Sequence, residues 1–362
     1  MSCEVPVMFA PKYPVPLGVF VLPALLAAAE PSRADAPEVA VSIQPIHSLV
    51  AGVMSGVGAP HLLVKGYGSP HAYQMRPSDA AALYRADLVF WMGMPLETFL
   101  VKPLANVRPP ARVIALLEVE GLHLLENRDS GAWQRLEHES QHIDEFAHPP
   151  QSRDPHAWLS PPLARRMVAV IAEALMRADP RNAEIYRVNA GNVDRRIEVL
   201  AAELASTLAP LRQIPFIMFH DAFQYFEQSF GLHSVGAVQL EPDRAPGAAR
   251  IRALRNVIRD RGVRCVFREP QFQSALVDAL VESTAARVSV VDPLGAEFPP
   301  GPDAWFQMMT ANAEAIAECL ARNSGAIDPL SVQRTALATG AGNRPILGSL
   351  SLAHPVVYRS FD

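Results

Sequence analysis

The stretch from Ile214 to Gly231, IPFIMFHDAFQYFEQSFG, sets the frame for the rest of the chain. Ile214 to Phe219 is short, bulky and partly β-branched, the pattern of a buried strand. Beyond it Asp221 is placed to cap a helix. Phe223, Phe226 and Phe230 fall on one face of that helix at steps of three and four, and Gly231 is placed to end it. His220 therefore sits where a strand gives way to a helix. In open α/β sheets the carboxyl ends of strands face the crevice that binds ligands, so an imidazole at this seam points to a site.

The same alternation recurs on both sides. Val39 to Ile43 reads as a strand, followed by a helical pattern at Ile46, Leu49, Val50 and Val53. Leu62 to Val64, Leu88 to Trp91 and Val113 to Leu117 supply further strands, with Ser78 or Asp79 capping the helix between the first two. After the His220 unit come strands at Ser234 to Val238, Val263 to Phe267 and Val288 to Val291. Helical stretches lie around Ile251 to Ile258, Ser274 to Ala286 and Trp305 to Leu320. Strands alternating with helices imply an α/β fold of parallel sheets with helices on both faces. Between the halves, Pro162 to Arg177 and Arg181 to Leu208 are helical and divided at Asp179-Pro180. At about 1.5 Å per residue the second of these is long enough to join two domains as a stiff connector.

The expected organisation is a signal peptide over 1–36, an N-terminal lobe over 37–180, a connector helix over 181–209 and a C-terminal lobe over 210–322. No structure is assigned to 323–362. Pro16 to Ala29 is apolar and uncharged, the length of a signal-peptide core and too short to span a bilayer. Small residues at Ser32, Ala34 and Ala36 place cleavage near Asp35 or Pro37, and Cys3 precedes the apolar core where a lipid-attachment cysteine would follow it. A formal net charge of -5 gives no basis for a nucleic-acid partner. Export leaves two cysteines, Cys265 and Cys319, which in an oxidising compartment form a disulfide; two buried thiols are the alternative.

Glu118 to Asp154 breaks the rhythm. It is acidic, carries His123, His138, His142 and His148 with few apolar anchors, and reads as a mobile surface loop. It is either a solvated linker or a loose secondary metal-gathering tract at His138, His142 and His148. Its end, DPHAWLSPP, is more ordered: Trp158 and Leu159 offer anchors, Ser160 a helix cap and Pro161 a first-turn residue. Four candidates then occupy loops at strand ends or ahead of a helix, namely His71, His156, His220 and Asp292. Three imidazoles and a carboxylate suit a borderline cation such as Zn²⁺, although ligands so far apart in sequence form no local motif.

The phrases SPHAYQMRPSD, DPHAWLSPPLARRM, MFHDAFQYFEQSFGL, EPDRAPGAARI, FREPQFQ and VDPLGAEF resemble, in order, the signatures of the zinc-specific solute-binding proteins of ABC uptake systems, the ZnuA-like cluster. The resemblance runs from about Val39 to Leu320. It implies two α/β lobes joined by one long helix with Zn²⁺ held in the cleft between them. His71, His156 and His220 would be ligands, with Asp292 or water as the fourth. It further implies a monomeric periplasmic receptor that delivers its ion to an ABC permease in the inner membrane, with no catalysis. Cys265 and Cys319 match a disulfide of part of the zinc group. Pro70 stands where some zinc members carry an acidic residue, and the histidine loop is sparser than is common there. A manganese or iron receptor of the same fold is the nearest alternative. From a different class, a zinc hydrolase would use the open position to activate water, but the chain has no HExxH helix or other placed general base, and Glu241 and Glu269 are merely nearby candidates.

Overall fold

The computed structural model describes residues 36–128, 153–239, 246–272 and 275–321. In the first half, strands β1 (Val39–Val41), β2 (His61–Leu62), β3 (Leu88–Trp91) and β4 (Arg112–Ala115) alternate with helices α1 (Gln44–Val53), α2 (Pro77–Arg85) and the single turn α3 (Val101–Leu104). Two long helices follow, α4 (Pro161–Ala178) and α5 (Ala183–Leu208). The second half holds β5 (Phe216–His220), α6 (Gln224–Phe230), β6 (Ser234–Gln239), α7 (Ala248–Arg261), β7 (Cys265–Arg268), α8 (Ala275–Val281), β8 (Arg287–Val290) and α9 (Ala304–Ala321). Every strand expected from the sequence is present, with ends displaced by a residue or a few.

The strands form two four-stranded sheets, ordered β2-β1-β3-β4 and β6-β5-β7-β8, and every pairing is parallel. The two orders are the same pattern repeated. In each sheet the chain reverses direction of travel between the first and third strand of the set, which opens a crevice at the carboxyl ends of β1 and β3 and of β5 and β7.

Alternation along the strands shows why the halves form one body. Phe216 and Met218 of β5 enter the same core as Val39 and Val41 of β1 and Leu88 and Phe90 of β3. Ile217 and Phe219 face a separate outer core with Leu254, Ile258, Val277 and Leu280, whereas Ala40, Val89 and Trp91 face another with Leu83 and Leu100. The inner strands of each sheet are thus buried on both faces, as in parallel sheets covered by helices, while the edge strands β4 and β8 are partly exposed. The inner faces share one continuous core, filled by α1, α4, α5 and α9 through residues such as Leu49, Ile171, Ile197 and Trp305.

Helix α5, 26 residues long, spans about 39 Å. Its buried stripe of Tyr186, Val193, Ile197, Leu200, Leu204 and Leu208 follows helical spacing. Gly52 lets α1 approach closely, since a Cβ there would meet Val193 at 2.8 Å. Cys265 of β7 and Cys319 of α9 form a disulfide. No helix among the described residues is long and apolar enough to cross a membrane. The proposed leader before residue 36, the segment from 322 onward and His138, His142 and His148 lie outside the described residues.

Three local expectations need correction. Neither Ser78 nor Asp79 is the N-cap of α2, which is Arg76; Asp79 lies inside the first turn and accepts from Arg76 N at 3.3 Å. Asp221 does not cap α6, which begins three residues later at Gln224. Its carboxylate is instead bound by Arg128, whose Nε lies 3.0 and 2.9 Å from the two oxygens. The stem of the acidic tract is also not loose. Arg128 reaches Glu227 at 2.9 Å, Glu126 bridges to Arg153, and the Tyr225 hydroxyl accepts from Leu125 N and donates to Asp154 O.

Candidate metal centre

His220 is the last residue of β5 and shares the inward parity of Phe216 and Met218. Period-two alternation therefore aims it toward the space between the sheets. His156 precedes a short 3₁₀ turn, Ala157–Leu159, and α4. Trp158 fixes that turn by donating from Nε1 to Pro293 O at 2.7 Å, and the Ser160 hydroxyl accepts from Leu163 N at the start of α4. His71 comes from the loop between β2 and α2. Tyr73 staples that loop, its single hydroxyl hydrogen shared between Leu63 O at 3.1 Å and Asp79 Oδ2 at 3.0 Å.

One ring nitrogen from each of His71, His156 and His220 can be chosen so that all three lie within 4.8 Å of one another. The ring centroids are 5.6, 5.9 and 5.1 Å apart. His156 and His220 are buried and His71 is half-buried, so the His71 side faces solvent. The cavity they line with Trp158, Phe272 and Gln271 is about 10 Å³, room for one water molecule or one bare cation.

The hydrogen bonds behind the rings are as informative. Nδ1 of His156 lies 2.7 Å from Asp154 Oδ1, and Nδ1 of His220 lies 2.6 Å from Glu269 Oε1. Both carboxyl groups are buried. An ionised carboxylate only accepts, so with both carboxyls ionised each Nδ1 carries the hydrogen, and in the neutral imidazole Nε2 presents a lone pair. Those two Nε2 atoms face each other at 3.3 Å. Two lone pairs at that distance repel unless a proton or a cation lies between them. A tetrahedral ion with nitrogens at roughly 2.0 to 2.1 Å sets its ligands roughly 3.3 to 3.4 Å apart, the spacing seen here.

The electrostatics favour a cation at this point. Burial depresses the His220 pKa, but Glu269 and the nearby Asp221 and Asp154 more than offset it, leaving it above the ordinary histidine value. Burial pushes Asp154 up to about 7, opposed by the His156 backbone N–H and Arg128. A divalent ion on the far side of the imidazole favours the ionised form of both carboxyls.

Asp292, expected as a fourth ligand, stands outside the three-histidine group. Its Oδ1 accepts from Gln271 Nε2 at 2.7 Å and Leu294 N at 2.9 Å, and its Oδ2 from Ala296 N at 2.6 Å. Glu269, weighed from sequence as a base, is committed to His220, and Glu241 lies outside the described residues. Sequence reading passed over Asp154, Arg128 and Gln271. Asp154 was the most accessible of these, since it lies two residues before His156.

Two lobes of like topology around an ion-sized, nitrogen-lined space are the features of a metal-ion-binding cleft protein. The family described as zinc-uptake complex component A, periplasmic, matches residues 39–319. A high-affinity zinc uptake system protein ZnuA from Brucella suis is 40% identical over 306 residues, covering 78% of this chain and 92% of that protein. Its namesake from Paracoccus denitrificans is 34% identical over 323 residues, covering 84% and 98%. Among solved structures, a crystal structure of ZnuA superposes with a TM-score of 0.67 at 26% identity, over 79% of this chain and 100% of that one. The chain belongs to the ZnuA family of periplasmic zinc-uptake components.

Proposed function

We propose that this protein is a zinc receptor of the periplasm that captures Zn²⁺ between His71, His156 and His220 and hands it to an ABC permease in the inner membrane. The observation that carries the reading is the pair of Nε2 atoms 3.3 Å apart, each backed by a buried carboxylate. Water or another small oxygen ligand completes the four-coordinate shell. Nitrogen-rich ligation favours Zn²⁺ over Mn²⁺, which prefers oxygen. The names of the relatives, high-affinity zinc uptake proteins, support the same choice.

A hydrolytic role has less support. The space between the three imidazoles, about 10 Å³, is the size of an ion. The carboxyl best placed as a base, Glu269, already accepts from His220. Calorimetric titration of the metal-free protein should give one tight zinc site per chain, with Mn²⁺ a weak competitor. Mn²⁺ binding as tightly as Zn²⁺ would overturn the zinc assignment, and turnover of a peptide or ester would overturn the receptor reading.

A further inference from the structure

Gln271 lies in the turn after β7 that also carries Glu269, closed by a hydrogen bond from Phe272 N to Glu269 O. It lines the cavity together with the three histidines. Its amide nitrogen donates to Asp292 Oδ1, and its amide oxygen is buried with no hydrogen-bond partner among the described residues. Asp292 does not line that cavity, although Pro293 and Leu294, which follow it, do.

We propose that Gln271 is a specificity-determining residue that holds Asp292 out of the ion's coordination shell. This rests on the reading of His71, His156 and His220 as the zinc site. The turn thereby disposes of two carboxylates at once. Glu269 is placed behind the His220 ring, and Asp292 is engaged by an amide donor and two backbone N–H groups. Backbone donors from Leu294 and Ala296 hold Asp292 from its own loop and are present whatever occupies the cavity. The Gln271 contact is the one that comes from another element, the turn after β7. Without it, Oδ1 keeps the Leu294 N–H of its own loop but loses the donor that ties it to the β7 turn, and gains freedom to turn toward the ion. A carboxylate oxygen in place of water would make the site harder, raising affinity for Mn²⁺ more than for Zn²⁺. The unpartnered Gln271 oxygen is, in addition, the natural acceptor for a hydrogen of a water in the fourth position.

The test is calorimetric competition of Mn²⁺ against Zn²⁺ on metal-free unaltered protein, Gln271→Ala, Asp292→Asn and the double variant. Gln271→Ala should narrow the preference for zinc by about tenfold, Asp292→Asn alone should leave it within about threefold, and the double variant should return it to the unaltered value. Gln271→Leu, which keeps bulk over the cavity but removes both amide atoms, should behave as Gln271→Ala. A preference unchanged in both Gln271 variants, while the unaltered protein binds zinc tightly, would overturn this proposal alone. A tenfold loss of zinc affinity in Asp292→Asn would also overturn it, since Asp292 would then already be a ligand. Failure of the unaltered protein to bind zinc would overturn the metal-centre reading and this proposal with it.

Discussion

At the scale of single residues, the site depends on what stands behind each imidazole as much as on the imidazoles themselves. Replacing a buried carboxylate that fixes a ligand histidine commonly costs 10- to 100-fold in metal affinity, so Glu269→Gln and Asp154→Asn should each weaken zinc binding by about that range. His220→Ala should cost more, because it removes a ligand outright; zinc affinity equal to that of the unaltered protein would contradict the assignment. The pH dependence follows from His220, whose pKa is raised. Zinc must displace a proton there, so affinity should fall as pH drops, beginning above the free-histidine value of about 6.5. The sign for stability runs the other way in the metal-free protein. The contribution of the protonated His220–Glu269 pair is fully present below the unfolded-state value and is lost as pH rises through the folded one. The zinc-induced gain in melting temperature should therefore grow between about pH 5.5 and about pH 8, and a gain that is flat or shrinks over that interval would count against histidine ligation. Of these residues, the sequence nominated the histidines, weighed Glu269 only as a base, and passed over Asp154. Glu269 is 49 residues from His220, and only the side-by-side order of β5 and β7 brings their ends together.

At the scale of elements, the strands and helices were legible because their patterns are strong: β5 is apolar up to His220, and α5 keeps its stripe for 26 residues. The misreading at Asp221 has a physical cause. Its carboxylate finds a guanidinium from Arg128, a stronger partner than an exposed backbone N–H, and α6 starts late in consequence. Arg128 thus ties the entry to the acidic tract to the residue next to His220. Deleting 129–147, a cut that spares Arg128, should leave one tight zinc site and remove at most a weaker second one. Arg128→Ala leaves the half-buried Asp221 and the buried Glu227 without their guanidinium and should lower both melting temperature and zinc affinity. Calorimetry and thermal unfolding of the two variants separate the tract from its stem. Loss of the tight site in the 129–147 deletion, with circular dichroism unchanged, would place a ligand within the tract. The Cys265–Cys319 disulfide closes a loop across 54 positions and should contribute about 4 kcal/mol in the chain-entropy model. Replacing both cysteines with serine should lower the melting temperature while leaving zinc stoichiometry at one.

At the scale of the whole molecule, the continuous inner core decides how the protein can move. Contacts cross between the halves close to the site: Gln44 donates to Phe298 O at 2.9 Å, Trp305 N donates to Ser48 at 2.9 Å, and Trp305 Nε1 donates to Trp158 O at 3.0 Å. Wide hinge opening would expose this core and break these bonds together, so ion entry and release belong to smaller shifts on the half-buried His71 side. Solution scattering should give superimposable profiles for the metal-free and zinc-loaded protein. The repeat of one strand order in both sheets was not legible, because order depends on which crossover packs where, and composition carries no record of it. The central claim is that three imidazoles converge on one zinc ion. X-ray absorption at the zinc edge of the one-to-one complex tests it most directly. The account predicts three imidazole nitrogens at roughly 2.0 to 2.1 Å with one further light-atom ligand, falling to two imidazoles in His220→Ala. A first shell containing sulfur, or one with fewer than three imidazoles in the unaltered protein, would contradict it.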